Sequence, residues 1–156
     1  MSKEAVLSEL KGKLGSEIHV GDWVPIDQAR IDKFADATGD HQWIHVDPAR
    51  AQKESPYGDT IAHGFLTLSL LPFLTGSVRE GVSGYPGVKL GVNYGLNKVR
   101  FPAPVKVNSR IRTRTRLKEV SEVPGGLQVV REVTFEVEGG DKPACVAESI
   151  SRLYFE

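Results

Sequence analysis

Gly64-Phe65-Leu66-Thr67-Leu68-Ser69-Leu70-Leu71-Pro72-Phe73-Leu74-Thr75 is apolar on nearly every side of a helical projection. A helix of that kind is a buried one. Pro72 has no N–H and crowds the preceding turn, so it should kink this helix or end its regular part. A single buried helix needs something to bury it.

The sequence on either side supplies the cover. Lys3 to Lys13 reads as a short amphipathic helix and Ile18 to Val24 as a strand. Ile26 to Thr38 places Ile31, Phe34, Ala35 and Thr38 on one helical face, with Gly39 as the stop. Asp47-Pro48 looks like an N-cap followed by proline at N1, opening a short helix to about Lys53. From Val88 onward the pattern is β. Arg110 to Leu117 alternates, and so does Val129 to Val137, with Pro124-Gly125-Gly126 as the turn between them. An antiparallel hairpin centred on Gly125 sets Arg114 opposite Glu136, Arg112 opposite Glu138, Lys118 opposite Glu132 and Glu119 opposite Arg131. Opposite charges across a ladder favour that register. After Gly139-Gly140 a further strand runs from about Ala144 to Tyr154. Helices first and an antiparallel sheet after them is an α+β pattern, here a sheet wrapped around one central helix.

Composition narrows the function. The 156 residues suit one domain spanning 1–156, and they carry no net charge. A global field that would recruit nucleic acid or an anionic membrane is absent. The arginine stripe Arg110, Arg112, Arg114 and Arg116 faces acidic residues across the hairpin and reads as a solvated sheet face. The lone Cys145 forms no disulfide within the chain, which fits a reducing compartment. The N-terminal residues lack a signal-peptide core, and no apolar run is long enough to span a bilayer. A soluble cytoplasmic protein is expected. GxSxG and Gly-rich phosphate loops are missing, which argues against serine-hydrolase and nucleotide-triphosphate chemistry.

Two stretches carry candidate chemistry. Ala37-Thr38-Gly39-Asp40-His41-Gln42-Trp43-Ile44-His45-Val46-Asp47 joins two helices and is rich in polar groups, yet holds Trp43 and Ile44. Packing of those apolar residues would hold Asp40 and His45 still. An aspartate and a histidine sharing one water can orient it and take its proton. Equally, Asp40 can cap the turn after Gly39 and His45 can be a packed ring. The second stretch is Ile61-Ala62-His63-Gly64-Phe65-Leu66-Thr67-Leu68-Ser69-Leu70, which opens the buried helix. Free N–H groups there suit an oxyanion, and Gly64 lets a carbonyl approach the backbone closely. Gly64 can instead serve tight packing, and a buried serine such as Ser69 more often bonds the preceding turn's carbonyl. Asp40, His41 and His45 have the chemistry of metal ligands, but no Cys/His spacing matches a metal site, so no metal is expected.

With Asn93-Tyr94-Gly95-Leu96-Asn97-Lys98-Val99-Arg100-Phe101-Pro102-Ala103-Pro104, these stretches resemble the MaoC-like dehydratases, which include (R)-specific enoyl-CoA hydratases and nodulation protein N-like proteins. The resemblance implies a hot-dog fold, with a long central helix wrapped by an antiparallel sheet, and a homodimer. It implies that Asp40 and His45 are the catalytic pair, that Gly64 supplies the oxyanion donor, and that Ser69 positions the pair or the substrate. It also implies an enoyl-CoA hydratase making a (3R)-hydroxyacyl thioester with no cofactor, CoA being part of the substrate. Lys89, Lys98 and Arg100 are candidates for its phosphates. Gln42-Trp43 stands where such hydratases often have Asn-Pro, which alters the loop beside the pair. The alternatives are a hot-dog acyl-CoA thioesterase and a non-catalytic acyl-CoA-binding module.

Overall fold

The structure is a computed structural model that describes residues 2–78 and 84–155. Along the chain run α1 (Lys3–Gly12), β1 (Glu17–Val20), β2 (Val24–Pro25), α2 (Gln28–Thr38), α3 (Trp43–Val46), α4 (Pro48–Glu54), α5 (Gly64–Ser69), α6 (Leu71–Leu74), β3 (Val88–Arg100), β4 (Arg110–Val123), β5 (Gly126–Val137) and β6 (Cys145–Phe155). The strands form one antiparallel six-stranded sheet in the order β1-β4-β5-β6-β3, with β2 also on β4. The fold is α+β, as expected.

Local signals place the helices. Asp27 Oδ1 accepts from Arg30 N at 2.8 Å and starts α2. Gly39 ends it at φ 84°, its N–H returning to the Ala35 carbonyl. Asp47 caps α4 with Pro48 in its first turn. The expected strand Ile18 to Val24 is two short pieces separated at Gly21, where a Cβ would stand 2.5 Å from the Leu74 carbonyl oxygen. The missing side chain lets the end of α6 rest on the sheet.

The central helix departs from expectation in length and in burial. It is not one long helix but α5 and α6, broken at Leu70. Pro72 accounts for the break, because it has no N–H for the Leu68 carbonyl. Leu66, Thr67 and Leu74 are buried with Ile31, Ile111, Val133 and Phe135, while Phe65 is 70% and Phe73 52% exposed. A single sheet covers one side of a helix, and within one chain the other apolar side stays open. A second cluster, Val6, Leu10, Leu117, Leu127 and Val129, sits under α1.

The β4–β5 hairpin forms in a register that differs from the expected one. Val123 pairs with Gly126, so the loop is Pro124-Gly125 alone, with Gly125 at φ 78°. Gly126 belongs to the ladder, pressed on β6 so closely that a Cβ would meet the Leu153 carbonyl oxygen at 2.1 Å. An irregular step between Leu117 and Glu119 adds one more residue of shift. Arg112 therefore faces Glu136, Arg116 faces Glu132 and Leu117 faces Arg131. The charge pairing survives in altered form. Arg112 and Arg114 both reach Glu136, Arg110 reaches Glu138, and Lys118 pairs with Glu148 on β6.

Candidate active site

The segment Thr60 to Ala62 anchors the site. It runs beside Val105 to Val107, through Ala62 N to Val105 O at 2.8 Å and Val107 N to Thr60 O at 2.9 Å. The loop bearing α3 hangs on that segment. Ile61 N donates to the Ile44 carbonyl at 3.1 Å, and His45 Nδ1 lies 2.7 Å from the Ile61 carbonyl oxygen. A carbonyl only accepts, so Nδ1 carries the His45 proton and Nε2 keeps its lone pair. Gln28 of α2 braces the same helix. Its Nε2 donates to the His45 carbonyl at 2.7 Å, and its Oε1 accepts from Thr60 Oγ1 at 2.6 Å.

Asp40 stands at the exposed end of the loop, just past the left-handed Gly39. Its Oδ1 accepts from Gln42 N at 3.2 Å. It therefore does cap the turn, as the plainer sequence reading had it, with one carboxylate oxygen left over. Trp43 and Ile44 are half-buried, and Arg50 stacks 4.4 Å from the Trp43 ring centre. His45 is buried at 7% exposure. A carboxylate oxygen of Asp40 and one ring nitrogen each of His45 and His63 lie within 4.8 Å of one another. The structure thus brings the two expected residues together and adds a third.

His63 was given no role from sequence. It is buried, its Nε2 donates to the Asp40 carbonyl at 3.0 Å, and its ring stacks on His45 with centroids 3.8 Å apart and planes 23° off parallel. Its place before Gly64 was the only signal, and nothing marked Gln28. The trio has the donor types of a metal site. However, imidazole lone pairs lie in the ring plane, and those of two stacked rings run side by side rather than converging on one ion.

Gly64 is the first residue of α5, where no earlier turn supplies an acceptor for its N–H. A Cβ there would meet the Phe101 ring at 3.1 Å, so the packing reason for glycine holds as well. Ser69 Oγ donates to the Leu66 carbonyl at 2.7 Å, the local bond a helical serine favours. On β3, Lys98 and Arg100 are exposed, and Arg100 donates to the neighbouring Val99 carbonyl.

Burial holds His45 below the ordinary histidine value of 6.5, and His63 pushes the same way; the bond to Ile61 and the charge of Asp40 oppose them. The neutral ring is therefore favoured at neutral pH. His41, exposed, is raised above 6.5, chiefly by its bond to Asp36.

With this geometry in place, comparison with known proteins gives a consistent result. The family model described as MaoC like domain matches residues 9–138. The 3-hydroxyacyl-thioester dehydratase Z of Mycobacterium tuberculosis (strain ATCC 25618 / H37Rv) is 53% identical over 147 residues, covering 94% of each chain. Nodulation protein N of Rhizobium leguminosarum bv. viciae is 45% identical over 157 residues, covering 98% of this chain and 94% of its own. Among solved structures, the unliganded R-hydratase PhaJ1 of Pseudomonas aeruginosa has a TM-score of 0.70 at 22% identity, covering 92% and 83%, and shows the shared hot-dog fold. The chain belongs to the MaoC-like dehydratase family, and it is an enzyme of the hydro-lyase class.

Proton-detected NMR of the ring Cε1–H groups should show His45 titrating below 6.5 and His41 above it. Between the folded and unfolded values of His45 the unfolded chain binds more protons. The stability this ring contributes is therefore full above 6.5 and declines as pH falls toward the folded value. A His45 midpoint above that of His41 would contradict the assigned environments.

Proposed function

We propose that the enzyme adds water across the double bond of a trans-2-enoyl-CoA, and removes it in reverse from the (3R)-hydroxyacyl thioester. The observation that carries this reading is the approach of the Asp40 carboxylate to the His45 ring, with Nδ1 spent on Ile61 and Nε2 left bare. One water held between them attacks C3, and Asp40, helped by His45, accepts its proton. The π electrons move toward the thioester carbonyl, whose oxygen gains negative charge. Gly64 N–H meets that charge, and preorganised donors of this kind supply much of the rate enhancement in such reactions. The pair then returns a proton to C2, and water has been added with no other reactant. Ser69, with lone pairs still open beside its bond to Leu66, serves in positioning. Lys98 and Arg100 are candidates for the CoA phosphates.

The reading needs no metal and no redox cofactor. Its substrate class agrees with the dehydratase relative's name, and its stereochemistry with the R-hydratase whose fold the chain shares. No helix among the described residues is long and apolar enough to cross a membrane.

The enzyme is also a homodimer on this reading. Phe65 and Phe73 lie on the open side of α5 and α6, and Phe65 meets Phe101, the residue that follows the edge strand β3. That strand exposes Leu90, Tyr94 and Leu96. A bare apolar edge strand is a hazard that a second copy removes.

Sedimentation at micromolar concentration should give twice the 17.1 kDa chain mass, and a mass equal to one chain would contradict the dimer. Hydration of trans-2-enoyl-CoA, followed by loss of the conjugated absorbance, should proceed without added metal and survive EDTA. Asp40→Asn and His45→Gln should fold normally and lose turnover by on the order of 10²–10⁴-fold, with Ser69→Ala milder than either. Release of free thiol from saturated acyl-CoA would point instead to a thioesterase. Near-normal hydration by Asp40→Asn would show that the water is held elsewhere.

A further inference from the structure

The chemistry above leaves the buried imidazole of His63 unused. His63 is 3% exposed and sits at the N-cap of α5. Its Nε2–H is bound to the Asp40 main-chain carbonyl at 3.0 Å, and one ring face lies on His45. Phe34 approaches the ring at 4.9 Å, tilted by 59°. Because Nε2 carries the proton, Nδ1 of the neutral ring is bare. That nitrogen is buried with no partner among the described residues. Leaving a polar atom in that state costs stability that a purely apolar ring of similar shape would not. A histidine used only as filler has no compensation for this cost, whereas one whose other nitrogen holds Asp40 does.

Asp40 needs such a hold. It follows a left-handed glycine, its side chain is exposed, and Oδ1 accepts from the nearby Gln42 N–H. The loop thus fixes the carboxylate only locally, while His45 is fixed to a different segment through Ile61. His63 bonds the Asp40 main chain and stacks on the His45 ring.

We propose that His63 is the positioning residue of the Asp40/His45 pair. Its N–H pins the Asp40 main chain and its ring face seats the His45 imidazole, so that carboxylate and imidazole meet one water in a fixed relation. The inference rests on the pair assigned above. It adds that the relation between the two residues is set by a third side chain rather than by the loop alone.

Two variants separate the contacts. His63→Phe keeps a ring on His45 and removes the N–H. His63→Gln restores a donor near the place of Nε2. Misplacing a catalytic group by about an ångström costs roughly 10²-fold. His63→Phe should accordingly lower kcat by roughly 10–100-fold while KM stays within about twofold, and His63→Gln should recover to within about fivefold of the unaltered enzyme. A His63→Phe enzyme that turns over normally overturns the proposal. So does a His63→Gln enzyme as slow as His63→Phe, or a loss that falls on KM alone.

Asp40→Asn, measured in the same assay, separates the two levels. If it keeps its rate, the pair assignment has failed and this inference with it. If it is inactive while His63→Phe is active, only the positioning role has failed. Should His63→Phe not fold, ring ¹⁵N shifts of the unaltered enzyme carry the test. They should show Nε2 protonated and Nδ1 bare in His63, and the reverse tautomer overturns the proposal.

Discussion

The bond from His45 Nδ1 to the Ile61 carbonyl, at 2.7 Å, joins the helical loop to the segment paired with Val105 to Val107. It selects the tautomer, aims Nε2 away from the backbone and fixes the ring plane on which His63 stacks. The rest of the site follows from what holds Ile61. Thr60 and Ala62 are bonded to Val107 and Val105, and Gln28 ties α2 to both Thr60 and the His45 carbonyl. A ring that donates its Nδ1–H to the main chain is held in place, and proton transfer from a shared water depends on that positioning.

Burial does further work at the same place. Taking His45 out of water lowers its proton affinity, which favours the neutral ring at neutral pH. Asp40, by contrast, sits at the surface, and a water reaches it without crossing the core. An inner imidazole and an outer carboxylate thus share one loop, and the start of α5 lies beside them through His63. Phe65 and Phe101 stand there, meeting edge to face at 6.2 Å.

Much of this was legible in the residues, because local signals decide it. Gly39 and Asp47 mark helix ends through bonds within four residues, and each acts where it was expected. The Asp40/His45 motif was legible through resemblance. What sequence left open was the choice between cap and catalyst for Asp40, and its carboxylate has room for both. The β4–β5 register was misplaced because Pro124-Gly125-Gly126 fits a loop of two or three residues equally well. The close approach of Leu153 to Gly126, which decides the matter, belongs to a distant strand. The exposure of Phe65 and Phe73 was not legible, since an apolar helix does not say how many of its sides its own chain covers. His63 and Gln28 act across space on main-chain carbonyls, and no spacing rule announces such bonds.

The central claim is that Asp40 and His45 act as one unit on one water. The measurement closest to it is a double-mutant cycle on hydration of trans-2-enoyl-CoA, with Asp40→Asn, His45→Gln and both together, each checked by a melting curve. Residues that activate one water are strongly non-additive, so the double variant should be little slower than the slower single one. A double variant whose loss is the product of the two single losses would contradict the account. It would mean that the two residues act on separate steps, not on a shared water.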